Sequence, residues 1–338
     1  MEKKMGRKTY HLPCCPSILS YGNAVGKKEG DGPLGKRFDQ IFEDTLAGES
    51  TWERAESVLQ RTALKHALDK GNLPLSGVDF LLAGDLLNQC ISSAYTARDL
   101  SVPFFGLYGA CSTMAESLAL CAMLLEGGFG DVGAAMTSSH FCSAERQYRS
   151  PLEYGSQRTP TAQWTATASG AVILGHEGPG PYVTHVTIGT IQDRGITDAN
   201  NMGAAMAPAA YDTLSAHFAD SGRGPEYYDL ILTGDLGQLG HDVLLELFRQ
   251  DQIELGERYN DCGIMLYDLD GQDVHCGGSG CGCSAAVLTG LILDEMRKGT
   301  WNHVLFCATG ALHSPVSLGQ GESIPGICHA VALSTGKE

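Results

Sequence analysis

Cys111 lies between a short apolar run and a long apolar stretch, within GLYGACSTMAESLALCAMLLEGG (106–128). A thiol at a helix start faces the positive end of the helix dipole and unpaired backbone N–H groups, which lower its pKa and stabilise an oxyanion beside it. Two chemistries follow from that placement. One is nucleophilic acyl transfer through Cys111. The other is capture of a carboxylate by the backbone of Ala110, Cys111 and Ser112. Acyl transfer also needs a base to take the thiol proton and donors for the tetrahedral intermediate. His241, His275, His313 and His329 are available, but spacing places none of them beside Cys111, and His329 sits in an apolar run typical of a core. As a small free cysteine, Cys111 is equally suited to a buried packing role.

An anionic ligand needs local positive charge, because the chain carries a formal net charge of −16 and a pI near 5.0. The segment SSHFCSAERQYR (138–149) supplies it in His140, Arg146 and Arg149. Arg146 is the preferred candidate, since the guanidinium fork matches a carboxylate. Asn88 follows the apolar run FLLAG (80–84), at the end of a strand where open α/β sheets bind ligands. Asp85 shares that position but has a twin in Asp235, which suits a fold role such as capping the next element.

The elements that must position these residues are legible in the patterning. With 338 residues, 43% apolar content and a mean hydropathy of −0.08, the chain has material for two core-sized units and no apolar stretch long enough to span a bilayer. The acidic balance makes nucleic acid a poor partner. The opening residues, with Pro13 and Pro16 after a lysine cluster, do not read as a secretory signal. Twelve cysteines without a C-x-x-C pair read mainly as core residues of a reducing compartment, and no structural-metal or cofactor spacing is present.

Two segments repeat. LKHALDKGNLPLSGVDFLLAGDL (64–86) aligns without gaps on LSAHFADSGRGPEYYDLILTGDL (214–236), pairing Asp79 with Asp229 and Asp85 with Asp235. CSTMAESLALCAMLLEGGFGDVGAAMTSS (111–139) aligns on CSAAVLTGLILDEMRKGTWNHVLFCATGA (283–311), pairing Cys111 with Cys283, Gly127 with Gly299 and Val132 with Val304. The first reads as helix, turn, strand and the second as buried helix, glycine stop, strand, with Thr113 and Glu116 spaced as a capping box. The strands are continuous apolar runs, the pattern of sheets covered on both faces. Packing the two all-apolar helices together between two sheets predicts five layers about a pseudo-twofold axis, with an N-terminal half over 1–195, including an N-terminal extension, and a C-terminal half over 196–338.

With GACST (109–113) opening the buried helix of the first copy and TATASGAVILG (165–175) as a following strand, the chain resembles the thiolase and β-ketoacyl synthase superfamily. That resemblance implies a duplicated five-layered αβαβα fold and a homodimer formed through the first-half sheets. It also implies that a His after the central strand of the second half and a further His or Asn would complete the catalytic set. Here those places read TGDLGQLGH (233–241) and GGSGCGC (277–283), so condensation chemistry is expected to be incomplete. A narrower set, GPLG (32–35), LLAGDLLNQ (81–89), TSSHFCSAERQYRSPLEYGSQRTP (137–160), GITDANNMGAAMAPAAYDT (195–213) and GESIPG (321–326), resembles the AD family of stage V sporulation (SpoVA) proteins. This implies a binding component for dipicolinate (pyridine-2,6-dicarboxylate), alone or as its calcium chelate. Such a component works beside the SpoVA membrane proteins, peripheral at the inner membrane of the developing spore. Three readings stay open: a dipicolinate-binding protein using Cys111, Ala110, Ser112, Asn88, His140 and Arg146; a Cys111-dependent acyltransferase or condensing enzyme; and an assembly scaffold.

Overall fold

The structure is a computed structural model that describes residues 3–148 and 158–337. In the first half, β1 (Ser17–Gly26), α1 (Trp52–Gly71), β2 (Phe80–Gly84), α2 (Ile91–Leu100) and β3 (Phe104–Gly106) precede α3 (Thr113–Glu126), β4 (Val132–Ser139), α4 (Phe141–Tyr148) and β5 (Ala168–Gly175). The second half repeats the plan in β6 (Tyr182–Thr187), α5 (Met202–Ser221), β7 (Leu230–Thr233), α6 (Gly237–Gln250) and β8 (Tyr259–Asp261), followed by α7 (Cys281–Val287), β9 (His303–Ala311) and β10 (Gly326–Ser334). Strand order is β1-β5-β4-β2-β3 in one half and β6-β10-β9-β7-β8 in the other, so the halves match strand for strand. In each, three parallel strands are followed by one that runs against them (β5, β10) and by an innermost strand (β1, β6) that pairs antiparallel with it and so runs with the other three.

Alternation along the strands assigns the layers. Leu81, Ala83, Ala134, Met136 and Ile173 face outward onto Leu59, Ala63 and Ala67 of α1. Phe80, Leu82, Ala135 and Val172 face inward, in one cluster with Met114, Leu118 and Leu125 of α3. The same cluster takes in Val304, Phe306 and Val331 from the second half, and Ala285, Leu288 and Ile292 from α7 and its continuation. Leu305, Cys307 and Ala330 face outward onto α5. The chain is therefore α/β with α3 and α7 sandwiched between the half-sheets, the five layers expected from the sequence. The half-sheets are not separate, however. β1 and β6 meet at one residue pair, Ser17 with Tyr182, because β6 turns aside to pair with Thr9–His11, leaving a seam one residue long.

The repeat is real, but its register differs from the gapless alignment. Asp79 accepts the N–H groups of Asp131 and Val132, and Asp229 accepts those of Asn302 and His303. Val132 therefore corresponds to His303, one residue earlier than aligned. At the helix starts the shift is two residues: Ala110 and Gly280 both adopt left-handed backbone (φ 50° and 96°), so the counterpart of Cys111 is Cys281, not Cys283. The difference is absorbed by a π-turn at Leu288–Ile292, where α7 carries one extra residue before continuing as Leu293–Arg297.

Candidate functional site

Cys111 lies in a 3₁₀ turn, Ala110–Ser112, that leads into α3. The turn is held from within. Ser112 N–H donates to the Gly109 carbonyl, Thr113 N–H to the Ala110 carbonyl, and the Ser112 hydroxyl to Gly109 again. The expected capping box is absent, because the Thr113 hydroxyl accepts the Gly109 N–H while the Glu116 carboxyl tucks beneath Gly109. Strand β9 presses on the turn from the other half. A Cβ on Gly310 would stand 2.3 Å from the Gly109 oxygen and 3.0 Å from the Ser112 nitrogen. The N–H groups of Ser112 and Thr113 are thus spent on the turn, and Ser112 itself is fully buried. Helix-start capture of a carboxylate by Ser112 is not supported.

The loop after β7 brings the Asp235 carboxylate beside the thiol, close enough for each to shift the other's titration. Asp235 accepts Gly280 N–H at 2.9 Å, the Thr309 hydroxyl at 2.9 Å and the Ser279 hydroxyl at 3.2 Å. Burial pushes the Asp235 carboxyl up to about 6. For Cys111, burial first and the Asp235 charge second raise the thiol well above its ordinary value. These two effects outweigh the helix dipole, so the resting group is a thiol. Alkylation at neutral pH should therefore begin at exposed Cys14 and half-buried Cys142 and Cys276, with Cys111 labelled only after denaturation. Mass-spectrometric mapping checks this, and early labelling of Cys111 would reverse the assignment.

Above the thiol opens a cleft of about 590 Å³, its mouth included. Its floor holds Ala110, Cys111 and Ser279, and its walls include Tyr148 and Glu145 of α4, Gln163, Asn200 and His313. Gln163 fixes the floor by donating to the carbonyls of Asp235 and Gly278. Tyr148 donates to the Leu86 carbonyl and pairs with the Tyr108 hydroxyl at 2.7 Å. No lysine or arginine lines the cleft among the described residues.

Of the residues expected from sequence, Cys111 and Ala110 line the cleft. Arg146 does not. It lies elsewhere on α4, paired with Glu53 and over the Trp52 ring, because helical spacing turns it away from Glu145 and Tyr148. Asn88 shares with Arg146 a separate depression, and its N–H donates to Gln147. His140 is buried: its Nε2 bonds the Thr45 carbonyl, its Nδ1 accepts Cys142 N–H, and burial lowers its pKa, keeping it neutral. Arg149 lies outside the described residues. Sequence reasoning missed Tyr148, Gln163 and Asn200, and named His313 only as a histidine it could not place beside Cys111. Symmetry gave a usable signal for His313, since the loop after β9 is the twin of the loop after β4 that carries His140.

The mirror position around Cys281 is filled. Its thiol donates to the Ser138 carbonyl, beside the buried carboxyls of Glu56 and Asp85. Glu56 accepts the Ser138 and Ser143 hydroxyls, Asp85 accepts Leu87 N–H and both donors of Ser93, and the Gln60 amide links Ser93 to Ser138. Burial first, then the Asp85 charge, pushes Glu56 up to about 8.

The family described as Stage V sporulation protein AD (SpoVAD) matches residues 6–334. Stage V sporulation protein AD of Bacillus subtilis (strain 168) is 44% identical over 331 residues, spanning 98% of this chain and 98% of that protein. Among solved structures, 3-oxoacyl-(acyl carrier protein) synthase III from Aquifex aeolicus VF5 superposes with a TM-score of 0.59 at 15% identity, covering 94% of this chain and 99% of that one. Cerulenin-bound OleA from Xanthomonas campestris gives 0.59 at 13% identity, covering 98% and 97%. At these identities the two enzymes bear on the fold alone, which is thiolase-like.

Proposed function

The chain belongs to the stage V sporulation protein AD family, and from that premise we propose that it binds dipicolinate, carried as its calcium chelate, in the cleft over Cys111. The observation that carries this reading is the charge of the cleft. Buried Asp235 lies beside Cys111 under its floor, and no lysine or arginine is among its described lining residues. Free dipicolinate is a dianion at neutral pH, and a cleft of this composition repels it. The one-to-one calcium chelate is neutral, offers a cation toward Asp235, and needs no arginine clamp. The earlier expectation of Arg146 as countercharge gives way to the ligand's own metal.

Condensation chemistry has less support. It requires the Cys111 thiolate, and both burial and the adjacent Asp235 carboxylate oppose deprotonation. No helix among the described residues is long and apolar enough to cross a membrane. We place the chain as a peripheral component handing the chelate to SpoVA membrane proteins at the inner membrane of the developing spore, working as a homodimer.

Calorimetric titration tests the ligand. Dipicolinate at saturating calcium should bind at least about tenfold more tightly than in the presence of a calcium chelator, a difference of about 1.4 kcal/mol. Equal affinities would remove calcium from the reading. Absence of heat in both arms would remove dipicolinate from it.

A further inference from the structure

Resting on the cleft reading above, we infer that Tyr148 and His313 form a ring-recognition wall, so that a planar aromatic ligand is selected over a non-planar one bearing the same carboxylates. The two side chains come from different halves, Tyr148 from the end of α4 and His313 from the loop after β9. Their rings lie 5.5 Å apart between centroids, inclined at 30° and stacked on each other across the junction of the halves. They are the only rings among the described residues of the cleft lining. Ala110, Ala144, Ala199 and Ala311 contribute only methyl groups to the lining, beside the larger Leu86 and Met202.

The wall is built to stay in place. The Tyr148 hydroxyl is held by the Leu86 carbonyl and the Tyr108 hydroxyl, so the far end of its side chain is anchored by two contacts. His313 is 8% exposed and packs its ring against Tyr148. A fixed aromatic surface loses little freedom when a ring stacks on it, and the contact adds to the affinity that area burial alone supplies. The polar part of the cleft, Gln163 and Asn200, is left for the ligand's edge.

The test compares dipicolinate with cis-piperidine-2,6-dicarboxylate, which keeps both carboxylates but puckers the ring and protonates its nitrogen, so the readout is the change each variant makes to each ligand, at saturating calcium. Wild-type protein is expected to bind dipicolinate more tightly. His313→Ala and Tyr148→Leu should each weaken dipicolinate by about threefold to tenfold while changing the piperidine ligand by less than about twofold. Stacking also has a spectroscopic signature. The ring protons of dipicolinate should move upfield on binding to the wild type, and less in either variant. Equal weakening of both ligands, or an unshifted proton spectrum on wild-type binding, overturns the wall. Absence of heat with either ligand on the wild type overturns the cleft reading itself, whereas heat of binding with an unshifted proton spectrum overturns the stacking alone.

Discussion

Replacing Gly310 by alanine is expected to destabilise the protein by about 1–3 kcal/mol and to expose Cys111, since overpacking a closed core forces backbone to move. The added methyl would fall 2.3 Å from the Gly109 carbonyl, inside the turn that holds the thiol. Backbone cannot yield as a side-chain tip does, so either β9 retreats or the turn opens. Valine should cost more. Urea denaturation gives the stability, and alkylation of native protein gives the turn: Cys111, silent in wild type, should label in the variant. A Gly310→Ala protein of unchanged stability with Cys111 still protected would show that the contact is looser than the geometry indicates.

Glu56→Gln should make the protein more stable than wild type at pH 8 and less sensitive to pH below that. The Glu56 carboxyl titrates near 4.5 in an ordinary setting and is pushed up to about 8 here. The folded state therefore keeps a proton that the unfolded chain releases, which stabilises fully below about pH 4.5 and is lost as pH rises through about 8. The loss is on the order of a few kcal/mol. Glutamine stays neutral throughout and retains an acceptor for the serine hydroxyls. Asp235 adds a separate decline around pH 6 that both proteins share. Parallel stability curves between pH 5.5 and 8 for the two proteins would mean that Glu56 is ionised in the fold.

Much of this architecture could be read from residues alone, because strands buried on both faces and helices apolar all round leave few ways to pack. Asp79 and Asp229 show why the duplication was visible: each caps the strand entering beside it, so neither could drift without freeing two backbone donors. The register was less visible. A π-turn leaves no mark in composition, and both Cys281 and Cys283 offered a cysteine to align, so the pairing with Cys111 slipped by two residues. The cleft lining was harder still. Which side of α4 meets the cleft depends on how that helix is seated, and Arg146, the residue whose chemistry drew attention, is turned to Glu53 instead. Asp235 was read as a fold residue from its twin. The twins diverge in use: Asp85 closes its own loop, whereas Asp235 crosses to the thiol of the other half.

The sandwiching of α3 between two half-sheets bears on how the chain is made. Helix α3 ends at Glu126, and the first strand of the other half to pack on its second face, β9, begins at His303. Roughly 180 residues separate them, which a ribosome adds in about 10–35 s. Throughout that interval the nascent first half carries Met114, Leu118 and Leu125 with only one sheet to bury them. The seam of one residue pair offers no ladder to hold a partial structure in place. During synthesis the apolar helix is therefore covered on one face only until the later half arrives.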